Sequence, residues 1–120
     1  MSVRRFEFIG NLTRDADLQY IGDAQDRALA TVDIAVNDSW KGGESGEKHE
    51  STDYFRIKAW GKTAENAGKY LGKGSQIYVA GRIQNTKYEK NGETIYGNDF
   101  VAEQIDYLRT KPPGGQGSAE

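Results

Sequence analysis

The sequence contains no cysteine, which excludes a disulfide framework and any thiolate-held metal, so the fold rests on ordinary packing. Its single histidine, His49, leaves too few ligands for a structural zinc centre. No apolar run approaches the roughly 18 residues of a membrane span. The opening residues Met1 to Glu7 bring charge in at once, without the apolar core of a signal peptide. These absences predict a soluble chain in a reducing compartment, the cytoplasm by default, with no membrane partner, metal or cofactor. Leu, Ile, Val and Phe are also scarce, 22 of 120 residues. That is near the level at which disorder becomes a concern, but 13 aromatics and a net charge of -2 argue for a folded chain. The length fits one domain.

A mildly acidic total speaks against nucleic acid as a partner until it is resolved by position. Residues 54–90 hold eight basic side chains, Arg56, Lys58, Lys62, Lys69, Lys73, Arg82, Lys87 and Lys90, against Glu65 and Glu89. The local charge is +6, and the rest of the chain carries -8. A polyanion responds to the surface within about 8–10 Å, not to the molecular sum.

Period-two alternation dominates the chain. Phe6 and Phe8 alternate with Arg5 and Glu7 until Gly10-Asn11 breaks the run. Ala30, Val32, Ile34 and Val36 share one parity, as do Phe55, Ile57 and Ala59 within Asp53 to Trp60. Between them, Lys41 to Thr52 is polar and glycine-rich and reads as a loop or hairpin tip. Ile77, Val79 and Ile83 mark a fourth strand with a bulge at Gly81. Asn91-Gly92 signals a hairpin turn, and Phe100 to Leu108 completes the strands. One helix is predicted over Lys62 to Leu71, from Ala64, Ala67, Tyr70 and Leu71, with Gly72 as its stop. Three strands, a helix and two strands predict an all-β fold with one short helix: a five-stranded OB-fold barrel with long β-hairpin loops. Residues 1–110 form this domain, and residues 111–120, rich in Pro and Gly, read as a flexible tail.

The third strand carries the functional signal. Tyr54, Arg56, Lys58 and Trp60 share the parity opposite to Phe55, Ile57 and Ala59, so two rings and two cations face outward. Burying unpaired Arg56 and Lys58 is costly, which assigns the apolar row to the interior. An outward aromatic row invites cover, from a subunit, a loop or a ligand. Trp40 lies beside Lys41 and Tyr88 beside Lys87, again at strand ends or loop bases. Every base has a π-face, and stacking one on a ring contributes roughly 1–3 kcal/mol without reading sequence. Adjacent cations neutralise phosphates, and the combination suits a single strand because a duplex hides its base faces.

The run Tyr54-Phe55-Arg56-Ile57-Lys58-Ala59-Trp60-Gly61-Lys62-Thr63-Ala64-Glu65, followed by Tyr70 to Ile83, closely resembles bacterial single-stranded DNA-binding proteins. Gly10-Asn11-Leu12 with Asp15 and Tyr20, Asp38-Ser39-Trp40, and Thr86-Lys87-Tyr88 resemble further segments of that family, over about residues 3–108. The resemblance implies base stacking by Trp40, Tyr54, Trp60 and Tyr88. It implies phosphate contacts by Lys62, Lys73 and Lys87, with Arg56 and Arg5 as additions. It also implies a homotetramer with Phe55, Gln76 and Tyr78 near subunit contacts, and a bacterial, nucleoid-associated location. The implied role is protection of single-stranded DNA in replication, recombination and repair. Tyrosine at positions 54 and 88 stands where tryptophan is common, Phe55 where histidine is often found, and Ala16 where proline is usual. The family usually ends in an acidic, hydrophobic-tipped tail that recruits enzymes. This sequence reads Gly117-Ser118-Ala119-Glu120 instead, so either it is a piece of a longer chain or recruitment takes another route.

Two other readings bear on these residues. Catalysis would need His49 with Glu47, Glu50 and Asp53, but these lie in or beside a polar loop with no apolar wall to shift a pKa, so no enzyme is predicted. Gly42 to Gly46 lacks the lysine and helix start of a phosphate-binding loop. The alternative is an OB-fold protein-interaction domain whose aromatic-basic face meets a protein partner.

Overall fold

The computed structural model describes residues 3–44 and 46–114. Six strands and one helix follow in the order β1 (Arg5–Leu12), β2 (Asp17–Ile21), β3 (Arg27–Gly42), β4 (Glu47–Trp60), α1 (Gly61–Tyr70), β5 (Gln76–Lys90) and β6 (Glu93–Arg109). The sheet order is β1-β5-β6-β4-β3-β2, and β1 also pairs with β3, so five strands close into a ring with β2 on its edge. Two joints in this ring are narrow. Antiparallel β1 and β3 meet at Asn11↔Ala35 and Leu12↔Ile34, and parallel β4 and β6 at Ile57↔Phe100 and Lys58↔Val101.

The predicted interior rows are buried. Ala30, Val32 and Ile34 of β3, Ile57 and Ala59 of β4, and Ile77 and Val79 of β5 are fully enclosed. Helix α1 joins this core with Ala64 and Ala67, and Leu71 just beyond it is also enclosed. It packs so near β2 that a Cβ on Gly68 would stand 2.7 Å from Leu18 Cβ. Tyr20 Oη of β2 also donates to Glu65 Oε2 of α1 at 3.2 Å. Beyond the core, Phe8 stacks on Phe55 with ring centroids 4.1 Å apart, and Phe6 and Phe100 meet the pair edge-on or tilted.

Three expectations are corrected. First, β2 is an additional strand. Its half-exposed pattern carries little apolar periodicity, and its pairing with Arg27–Thr31 of β3 defines it instead. Second, Gly10-Asn11 does not end β1, which continues to Leu12. Gly10 lies where β1 leaves β5 for β3, and a Cβ there would be 2.7 Å from the Ala35 carbonyl oxygen. Third, most of Lys41–Thr52 is strand: β3 and β4 pair from Leu29↔Trp60 out to Gly42↔Glu47. Both faces of that outer ribbon meet water, so no hydrophobic alternation marks it.

The bulge appears where predicted, with a register shift between Ala80 and Gly81. A Cβ on Gly81 would overlap the Val101 carbonyl oxygen. Asn91 and Gly92 take φ of 54° and 82°, the left-handed pair that a two-residue hairpin turn requires. After β6 the chain returns beneath the barrel. Lys111 N–H donates to the buried Ser75 Oγ at 2.9 Å, Gly72 N–H donates to Lys111 O at 2.6 Å, and Gly114 N–H donates to Asp15 Oδ2 at 2.8 Å. Residues 115–120 of the expected tail lie outside the described residues.

Candidate nucleic-acid interface

The outer row of β4 has the expected members, and each faces a defined partner on β3. Tyr54 lies opposite Ala35, Arg56 opposite Asp33, Lys58 opposite Thr31 and Trp60 opposite Leu29. Tyr54 is 71% exposed and, with Arg56, Phe55, Asp33, Ile34 and Thr13, lines a shallow cleft of about 380 Å³. Trp60 is half-buried, and the Arg27 guanidinium lies 4.8 Å from its ring centroid.

The cations of this row are held by acids from distant parts of the sequence. Arg56 Nε and Nη2 donate to Asp33 Oδ1 and Oδ2 at 2.8 and 3.2 Å. Arg14 Nε takes the second oxygen at 2.8 Å. These hydrogen bonds, Arg56 foremost, hold the Asp33 carboxyl below the usual carboxylate range. The same contact raises the Arg56 guanidinium. Lys58 Nζ pairs with Asp99 at 3.1 Å, and Arg82 with Glu103 at 3.3 Å. Three of the eight cations in the basic segment are thus neutralised by acids outside it.

Among the described residues, Lys62, Lys73 and Lys87 form no ion pair. Lys62 is in the first turn of α1, whose N–H groups receive no side-chain cap, so its charge and the helix dipole reinforce each other. Lys73 lies in the turn before β5, and its N–H donates to Asp15 at 2.8 Å. That bond and the one from Gly114 lower the Asp15 pKa. Arg5 stands opposite Arg82 at the start of β1.

The four predicted rings do not share one face. Trp40 belongs to the row of Ile34 and Val36, across the β3–β4 ribbon from Tyr54, and its register partner is His49. The two rings lie 5.6 Å apart between centroids with planes 22° apart. Tyr88, 55% exposed, stands opposite Ile95 on the outer part of the β5–β6 ribbon. Lys87 occupies the other face of that ribbon, opposite Tyr96, a ring 72% exposed. The basic neighbours expected for Trp40 and Tyr88, Lys41 and Lys87, adjoin them along the chain but lie on the opposite faces, because adjacent strand residues alternate sides. Lys90 is the cation that shares the face of Tyr88. His49 and Tyr96 are exposed rings outside the expected set. The two-residue turn at Asn91-Gly92 could have disclosed Tyr96, since it fixes Lys87 opposite residue 96.

The expected contact residues Gln76 and Tyr78 occupy the outer row of β5, opposite Asn11 and Ile9 of β1. Ile9 is 53% exposed, and Tyr78 Oη donates to Glu7 Oε2 at 3.0 Å, a bond that raises the phenol pKa. Phe55 packs in the ring cluster with Phe8 and Phe100 and remains partly exposed. Among the described residues no group of His, Asp and Glu could hold a metal ion. No helix there is long and apolar enough to cross a membrane.

A ring of five strands plugged by a helix, with ribbons that present aromatic rings and lysines, defines an OB-fold with a binding surface. The sequence places it more narrowly: the Single-strand binding protein family matches residues 3–108, and the chain belongs to that family. It is 35% identical over 111 residues to single-stranded DNA-binding protein 1 of Xylella fastidiosa, covering 92% of this chain and 80% of that one. A crystal structure of a deletion mutant of the Thermus aquaticus single-stranded DNA binding protein superposes with a TM-score of 0.75 at 32% identity. That match covers 91% of this chain but 54% of the Thermus chain, so this protein spans about half of that relative. A Plasmodium falciparum SSB in complex with ssDNA has the same fold, with a TM-score of 0.73 at 23% identity over 92% of this chain and 96% of that one.

Proposed function

We propose that the protein binds single-stranded DNA with little sequence preference and shields it during replication, recombination and repair. The observation that carries this reading is the outer row of β4, where the exposed Tyr54 and the half-buried Trp60 flank Arg56 and Lys58. Trp40 and Tyr88 extend the stacking surface along the two ribbons, and Lys62, Lys73, Lys87 and Arg5 supply phosphate contacts. The names of the Xylella and Thermus relatives support the choice of ligand. No bond is made or broken: bases stack on rings, phosphates replace counterions, and the strand is released unchanged. The outer β1–β5 row around Ile9, Gln76 and Tyr78 suits a contact between copies, and a homotetramer is the assembly we infer. Residues 1–110 form the binding domain and 111–120 its tail.

Titration with oligo-dT is expected to quench the fluorescence of Trp40 and Trp60, with affinity falling as salt rises. Trp60→Ala should weaken binding by about 1–3 kcal/mol with the fold retained. Absence of quenching at low salt rejects the DNA reading in favour of a protein-binding surface.

A further inference from the structure

We propose that His49 is a ligand-binding residue of this surface, forming with Trp40 a two-ring platform whose imidazole makes affinity depend on pH. The inference rests on the single-stranded DNA reading above and extends it to a residue outside the predicted site. Trp40 and His49 are register partners, and their rings are stacked at 5.6 Å with planes only 22° apart. Trp40 is 51% exposed and His49 is exposed as well, so the pair is displayed rather than used as core. The next residue on the same row is Gly42, where a Cβ would lie 3.8 Å from both rings. Its missing side chain leaves that edge of the platform uncovered.

The charged groups around the imidazole follow from the register. Asp38 and Glu47 share its face, while Lys41, Lys48 and Glu50 lie on the other face, with Lys48 and Glu50 paired at 3.6 Å. Histidine is the side chain that changes charge between about pH 5 and 8, a window in which carboxylates and lysines as classes do not titrate. A neutral imidazole offers a flat ring to a base. An imidazolium adds a cation beside Trp40 and a partner for phosphate. Bound DNA therefore favours the protonated form, and affinity rises as pH falls through this window. One additional phosphate contact steepens the salt dependence for single strands by about 0.7 on a log–log scale, which corresponds to roughly fivefold in affinity near 0.1 M salt.

The test is the Kd of the full chain for labelled oligo-dT at about pH 6 and about pH 8 at one salt concentration. Wild type should bind about fivefold more tightly at the lower pH. His49→Phe keeps a ring without the titration and should bind equally at both, and His49→Ala should also be flat but weaker than His49→Phe. A wild-type Kd that does not change with pH, or a His49→Phe variant that keeps the wild-type response, overturns the proposal while leaving DNA binding intact. Failure of wild type to bind at either pH overturns the DNA reading itself, and this inference with it.

Discussion

Asp33 takes two guanidiniums, from Arg14 and Arg56, on a surface whose function calls for free positive charge. Its carboxyl is mostly sheltered and its partners mostly exposed, so its contribution lies near that of a surface network, about 0.5–1 kcal/mol. Because the folded state lowers its pKa, that stability is present above the unfolded value, about 4, and is lost as pH falls through the lower folded value. Asp33→Asn should therefore be less stable than wild type in urea near neutral pH by that amount, and the gap should close in acid. A gap of constant size would assign the loss to packing. At the same scale, the sequence disclosed the rings of β4 but not their acids. Parity orients Tyr54, Arg56, Lys58 and Trp60, whereas the partners Asp33, Asp99 and Glu103 are set by pairings between distant strands.

Helix α1 is fixed to β2 by an absence, the missing side chain of Gly68 against Leu18. Alanine would favour the helix by about 1 kcal/mol, but overpacking costs typically 1–3 kcal/mol, so Gly68→Ala should be net destabilising by about 1 kcal/mol. In a Leu18→Gly background the clashing Cβ is gone, and Gly68→Ala should become neutral or stabilising. Thermal melts of the four proteins test this, and equal effects in both backgrounds would remove the steric account. Legibility at this level followed burial. The inner parts of β3, β4 and β5 were readable because one face is enclosed and the other is not. The outer ribbon of β3 and β4 and the short β2 were not readable, since neither has an apolar row to set a period. The pairing of His49 with Trp40 was hidden for the same reason: their register depends on where the ribbon turns, and residues 41–52 gave no sign of it.

For the whole molecule, the net charge of -2 is a poor guide, and even the +6 of residues 54–90 overstates what a ligand meets. Ion pairs with acids elsewhere silence Arg56, Lys58 and Arg82, leaving lysines as the mobile charge. The narrow joint between β4 and β6 has a consequence of a different kind. The β3–β4 and β5–β6 pairs are long, continuously bonded ribbons that meet each other only at Ile57↔Phe100 and Lys58↔Val101 among the described residues. Local opening is easiest where few hydrogen bonds must break together. Amide exchange at this joint should therefore outpace exchange along the inner β5–β6 pairing by about an order of magnitude or more. Uniform protection across both would show a single cooperative unit. If the joint opens first, the molecule behaves as two stiff tapes still held at the other narrow joint, where β1 meets β3. Each tape carries its own rings and can pivot against the other, so strands of different curvature can be gripped without either tape unfolding.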